Sequence, residues 1–238
     1  FFCMMLITSV FKQRCFSTIS NEVKKRRQAT QKWLDAIVIG QKLCPFASPV
    51  SKEPQLRIHV SNARSYEDII QEIEVEARLL VDGIQDFSSS NTNSNDSSLK
   101  SQQLQDFERL QQPPETTLVV LNEDKCQLLK EFRELVQLSW RIQAEAIVQN
   151  GLEKDLQIVL FHPLASHNTY VETNVEDDPA DYTIRSPYPI IHLLREVDVM
   201  KAVKGGYNDL EGLPSRNKAR LRSDGLTSCI ERLKACKE

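Results

Sequence analysis

An α/β fold is what this sequence predicts, on three observations. Three short strand-like stretches stand at 55–60, 116–121 and 156–161. Stretches with the apolar period of a helix lie between and around them. The resulting order, α-β-α-β-α-β-α-α, implies a small sheet of three or four strands, at least partly parallel and covered by helices. With 238 residues, 40% of them hydrophobic, the chain is long enough to bury one substantial core.

Each element has its own warrant. Residues 22–43 place Trp33, Ile37 and Gly40 on one helix face, with Leu34, Val38 and Gln41 beside them, and Pro45 stops the helix. In 55–60, Leu56, Ile58 and Val60 alternate with Arg57 and His59, as in a half-buried strand. Ser65 and Asp68 then form a capping box. Behind it, Tyr66, Ile69, Ile73, Ala77, Leu80 and Ile84 recur at steps of three and four, which makes one apolar helix face.

The run 88–103 is Ser- and Asn-rich with a single apolar residue, so burial cannot offset the entropy of ordering it. It reads as a disordered insertion within the domain. TTLVVL (116–121) is a buried strand, and Asn122-Glu123-Asp124 caps a long helix that Asn150-Gly151 ends. LQIVLF (156–161) is the third strand and delivers His162. Pro187 and Pro189 then open a helix at about 189–203, since proline suits a helix's first turn. A last amphipathic helix follows Pro214-Ser215.

Charge is uneven along the chain. Lys12, Arg14, Lys24, Lys25, Arg26 and Arg27 face only Glu22 within the first thirty residues. The first twenty hold no acid and are rich in Phe, Ser and Thr, as organellar transit peptides are. Residues 1–21 are thus read as a transit peptide, mitochondrial or alternatively plastid, and 22–238 as a single domain. A secretory apolar segment at 1–11 is a further reading, though it is too short to span a bilayer. Net charge of −3 suggests neither a nucleic-acid nor a membrane partner. The six cysteines show no CxxC pair and no zinc-like spacing, and buried thiols are the favoured reading. Cys44-Pro45-Phe46 is weakly glutaredoxin-like, but position 47 is Ala.

The chemistry is expected in 161–196, which holds His162, His167 and His192 with Asp177, Asp178, Asp181, Arg185, Arg195 and Glu196. His162 ends a strand, where open α/β sheets bind ligands, or else it hydrogen-bonds its own turn. His192 and Glu196 are four apart and share a face of the expected helix, either as an oriented general base or as a solvated ion pair. Arg185, just ahead of that helix, suits an anion or staples the loop to Asp177, Asp178 or Asp181.

LCPFA (43–47), ETTLVV (115–120), FHP (161–163) and above all RSPYP-x-x-HLLRE (185–196) are distinctive together. They resemble the bacterial and algal family catalogued as domain of unknown function 1415, over roughly residues 30–220. The resemblance marks Cys44, Pro45, Phe46, Glu115, Thr116, His162, Pro163, Arg185, Ser186, Pro187, Tyr188, Pro189, His192, Arg195 and Glu196, and it specifies no reaction. The insertion and the leading segment depart from the compact bacterial pattern and imply a eukaryotic, organelle-targeted member.

The function expected from these residues is a hydrolase or transferase acting on a small anionic substrate. Arg185, Arg195 and Ser186 would bind it, His162 or His192 would move the proton, and Glu196 would orient His192. No nucleotide-cofactor glycine motif is visible. One alternative is a divalent-metal enzyme with His162, Asp178, His192 and Glu196 as ligands. Another is a non-catalytic binding or assembly module in which RSPYPxxHLLRE is a structural clamp.

Overall fold

A computed structural model describes residues 21–87, 114–167, 177–204 and 212–238. Residues 1–20 of the expected transit peptide and the Ser/Asn-rich insertion lie outside them. Among the described residues, four strands form one sheet: β1 (Leu56–Val60), β2 (Thr116–Val120), β3 (Leu156–Phe161) and β4 (Ile190–Arg195), in spatial order β1-β2-β4-β3. β1 and β2 are parallel, and β4 is antiparallel to both β2 and β3. The fold is α/β, with the last strand inserted between its two predecessors.

β4 corrects the expectation of a helix at 189–203. Its pairs run from Val120–Ile190 to Thr116–Leu194 on one side and from Phe161–Ile190 to Leu156–Arg195 on the other. A central strand covered on both faces reads as a continuous apolar run, and IIHLL cannot be told from a buried helix by period. The helix expected there begins only at Glu196 and ends at Lys204; we label it α4.

Both faces of the sheet are layered with helices. α1 (residues 21–39) lies on one, and its final turns, Leu34–Ile39, are wound as a π-helix. The amide of Gly40 donates to Asp35 O at 2.9 Å in closing that wide turn. A Cβ on Gly40 would sit 2.5 Å from Ala36 O, which is why the position takes glycine. α5 (Leu213–Asp224) and α6 (Leu226–Ala235) complete this layer. Trp33, Leu34 and Ile37 pack there with Leu56, Ile58, Leu118, Val120, Ile190 and Cys229.

The other face carries α2 (Tyr66–Phe87) and α3 (Phe132–Ile142), the latter continuing as a π turn over Gln143–Ile147. Ile69, Ile73, Ala77 and Leu80 of α2 form the expected buried stripe against Val119, Leu138, Ile142, Ile191 and Leu193. Each such Leu or Ile contributes about 1.5–3 kcal/mol by burial. The capping box is reciprocal: Asp68 N donates to Ser65 Oγ and Ser65 N to Asp68 Oδ2. α3 starts later than expected, because Gln127–Lys130 forms a separate 3₁₀ turn ahead of it.

Arg26 pins α1 to the edge where β1, β2 and β3 end. It is 1% exposed and donates to Glu22, Glu123, Asp124 and the carbonyl of Leu121. Its guanidinium lies 4.3 Å over the ring of Tyr188. Among the described residues, no helix is long and apolar enough to cross a membrane.

Candidate functional site

The two histidines expected to serve one site occupy opposite faces of the sheet. His162 follows β3 at its end, is 1% exposed, and has its ring 5.7 Å from Phe132 on the α3 side. Its Nε2 meets Leu129 O at 2.9 Å, and its Nδ1 accepts from Leu164 N at 3.0 Å. A carbonyl can only accept and an amide can only donate, so the ring is the neutral Nε2–H tautomer, held on both sides by backbone. Desolvation by burial pushes its pKa down. His162 therefore pegs a turn, the plainer of its two readings.

His192 stands in the middle of β4, paired with Leu118 and Val159. Its ring lies on the α1 face, 6.3 Å from Phe161, which in turn packs edge-on against Trp33 at 5.1 Å. Nε2 is 2.6 Å from Thr116 Oγ1, and that hydroxyl also lies 3.1 Å from Leu193 O. The threonine has one proton, and the carbonyl can only accept it. The imidazole must then supply the other bond from Nε2–H, which leaves Nδ1 as a bare lone pair. No group among the described residues donates to Nδ1, and the side chain is only half-buried. Desolvation brings its pKa to about 4, so the ring is neutral at physiological pH.

Glu196 does not orient His192. Four positions along a strand span roughly 13 Å. Glu196 instead accepts from Gln157 Nε2 at 2.5 Å, and its amide donates to Asp155 O. Arg185, Arg195 and Ser186, the residues expected to grip an anion, each have an internal partner instead. Arg185 is 7% exposed and donates to Ala165 O and Asp177, with its guanidinium 4.7 Å over Tyr182. Arg195 donates to Asp198 at 2.5 Å, and Ser186 Oγ to Tyr188 O at 2.6 Å.

The four alternative metal ligands are likewise apart. Asp178 caps a 3₁₀ turn and pairs with Arg222, whose hydrogen bonds draw its pKa to about 2. Among the described residues, no three His, Cys, Asp or Glu side chains are placed to hold a metal. Cys44 is half-buried, and burial raises its thiol pKa, opposite to what a reactive thiolate requires.

Sequence reasoning missed a second polar cluster, on the α2 face. Arg57 donates to both carboxylate oxygens of Glu76 at 2.7 and 2.9 Å. His59 lies between Glu72 and Glu76, at 3.3 and 3.4 Å. The signal was present: Glu72 and Glu76 interrupt the apolar stripe of α2, and Arg57 and His59 alternate on one side of β1.

Fold and site together define an α/β protein carrying a neutral, half-buried histidine, oriented by a threonine, on the α1 face of the sheet. The chain belongs to the family described as Protein of unknown function (DUF1415), whose model matches residues 25–92 and 86–230. No curated protein and no solved structure matches it.

Proposed function

We infer that this protein is an enzyme, a hydrolase or transferase, in which His192 is the general base. The supporting observation is the proton count at Thr116, which leaves Nδ1 of a neutral imidazole as an unclaimed acceptor. In this reading Nδ1 takes a proton from water or a substrate hydroxyl as that oxygen attacks. The imidazolium then returns it to the departing group. Half-buried Val159, Phe161 and Leu194 line the same face, so they would contact an apolar part of the substrate. The anionic substrate inferred from Arg185 and Arg195 loses its support, since both arginines are engaged. The composition of the first twenty residues supports mitochondrial import, or plastid import as the alternative.

The test is a screen of ester, phosphoester and acyl-donor substrates with the parent and His192→Gln, alongside a thermal melt of each. Turnover lost in a variant that melts normally supports the base. Equal turnover in the two proteins refutes it. A clamp-like, non-catalytic reading is favoured by one feature, the inward bonds of Arg185, Ser186 and Tyr188. It predicts instead that His192→Gln lowers the melting temperature and that the parent turns over nothing.

A further inference from the structure

The α2 face of the sheet buries four ionisable groups in one seam. Glu76 is fully buried, Glu72 and Arg57 are within a tenth of being so, and the His59 side chain is 14% exposed. Arg57 engages Glu76 in the two-bond geometry that guanidinium and carboxylate favour. His59 Nε2 faces Glu72 Oε2 at 3.3 Å, and Nδ1 faces Glu76 Oε1 at 3.4 Å. A neutral imidazole has one N–H and would turn its bare nitrogen toward a carboxylate. Only the imidazolium presents a donor to each. With His59 charged, the two carboxylates are balanced by two cations. Without that proton, the seam loses a positive charge from between its two buried carboxylates.

We propose that His59 is held as an imidazolium between Glu72 and Glu76, and that its proton is a latch fastening α2 to the edge strand β1. Among the described residues, charged groups from three segments bear on it. Arg57 shares its strand, Glu72 and Glu76 come from α2, and Lys125, from the segment after β2, interacts with Glu72. Thr117 is the registered neighbour of Arg57 and is uncharged. The carboxylates outweigh Arg57, and the imidazole pKa is raised despite its burial. The other three histidines all move the other way. His59 is thus the last imidazole to lose its proton. A raised folded-state value means stability that is complete below about pH 6.5 and is lost as pH rises through the folded value.

The experiment is a proton NMR titration of the full chain combined with hydrogen exchange of α2, corrected for the intrinsic pH dependence of exchange. In the parent, the His59 ring should titrate above 6.5, and protection of α2 should fall across the same interval. Glu72→Gln should lower that midpoint by about one pH unit while the helix stays folded. His59→Gln should abolish the pH dependence of α2 protection. A His59 midpoint at or below its ordinary value, or α2 protection that is flat with pH in the parent, overturns the proposal. Neither result depends on turnover, so the fate of His192 as a base is decided separately.

Discussion

The indole of Trp33 donates to the main-chain carbonyl of Arg185 at 3.0 Å, joining residues 152 positions apart. One side of this bond belongs to α1, and the other opens the RSPYP stretch that leads into β4. Trp33 is 2% exposed and Arg185 is 7% exposed, so no water can replace the donor easily. Trp33→Phe keeps the aromatic packing on Phe161 but orphans the carbonyl. It should cost about 1–3 kcal/mol in urea unfolding, with no change in the denaturant slope.

Thr116→Val tests the orientation of His192 without touching the imidazole. The valine removes the acceptor for Nε2–H while preserving shape. Nitrogen NMR should then show the ring as a mixture of tautomers in place of Nε2–H alone. Any turnover that depends on His192 should drop by roughly ten- to a hundredfold, the range typical of a lost orienting partner. Thr116→Ser should restore both.

The Arg57–Glu76 pair should behave as buried ion pairs do. Arg57→Met alone leaves a fully buried carboxylate with His59 as its remaining charged neighbour, and should destabilise by about 3–5 kcal/mol. Replacing both partners, as Arg57→Met with Glu76→Leu, should recover most of that loss. Equal damage in the single and double variants would show that the cost lies in packing and not in the stranded charge.

Acid should weaken the fold well before the Asp178–Arg222 pair is broken. His162 and His192 are both held neutral by desolvation, with His192 at about 4. Their stabilisation is complete above the unfolded value of about 6.5 and is lost as pH falls through the folded values. Unfolding free energy should therefore decline from near neutrality toward pH 4, and His192→Gln should flatten part of that decline. The Asp178–Arg222 pair fails only later, near about 2.

Much of the scaffold was legible because its signals are local. The period of α2, its capping box and the runs at β1, β2 and β3 each depend on residues within one element. β4 reads as a helix in the sequence because burial on both faces erases the alternation that marks a strand. Helical spacing makes Glu196 the neighbour of His192, whereas the partner in the sheet is Thr116, 76 residues earlier. Register across a sheet has no local signature. Arg185 is the converse case, since its staple to nearby Asp177 was one of two readings open from spacing alone.

The insertion of β4 between β2 and β3 also fixes an order of assembly. β1, α2 and β2 form a parallel unit early in the chain, but among the described residues β3 pairs only with β4 within the sheet. During synthesis, then, β3 emerges from the ribosome with no strand to pair with, and β2 keeps one bare flank. Both wait for residues 190–195. Nascent chains halted before that point should be sticky, and the final strand acts as a keystone that turns two open edges into one sheet.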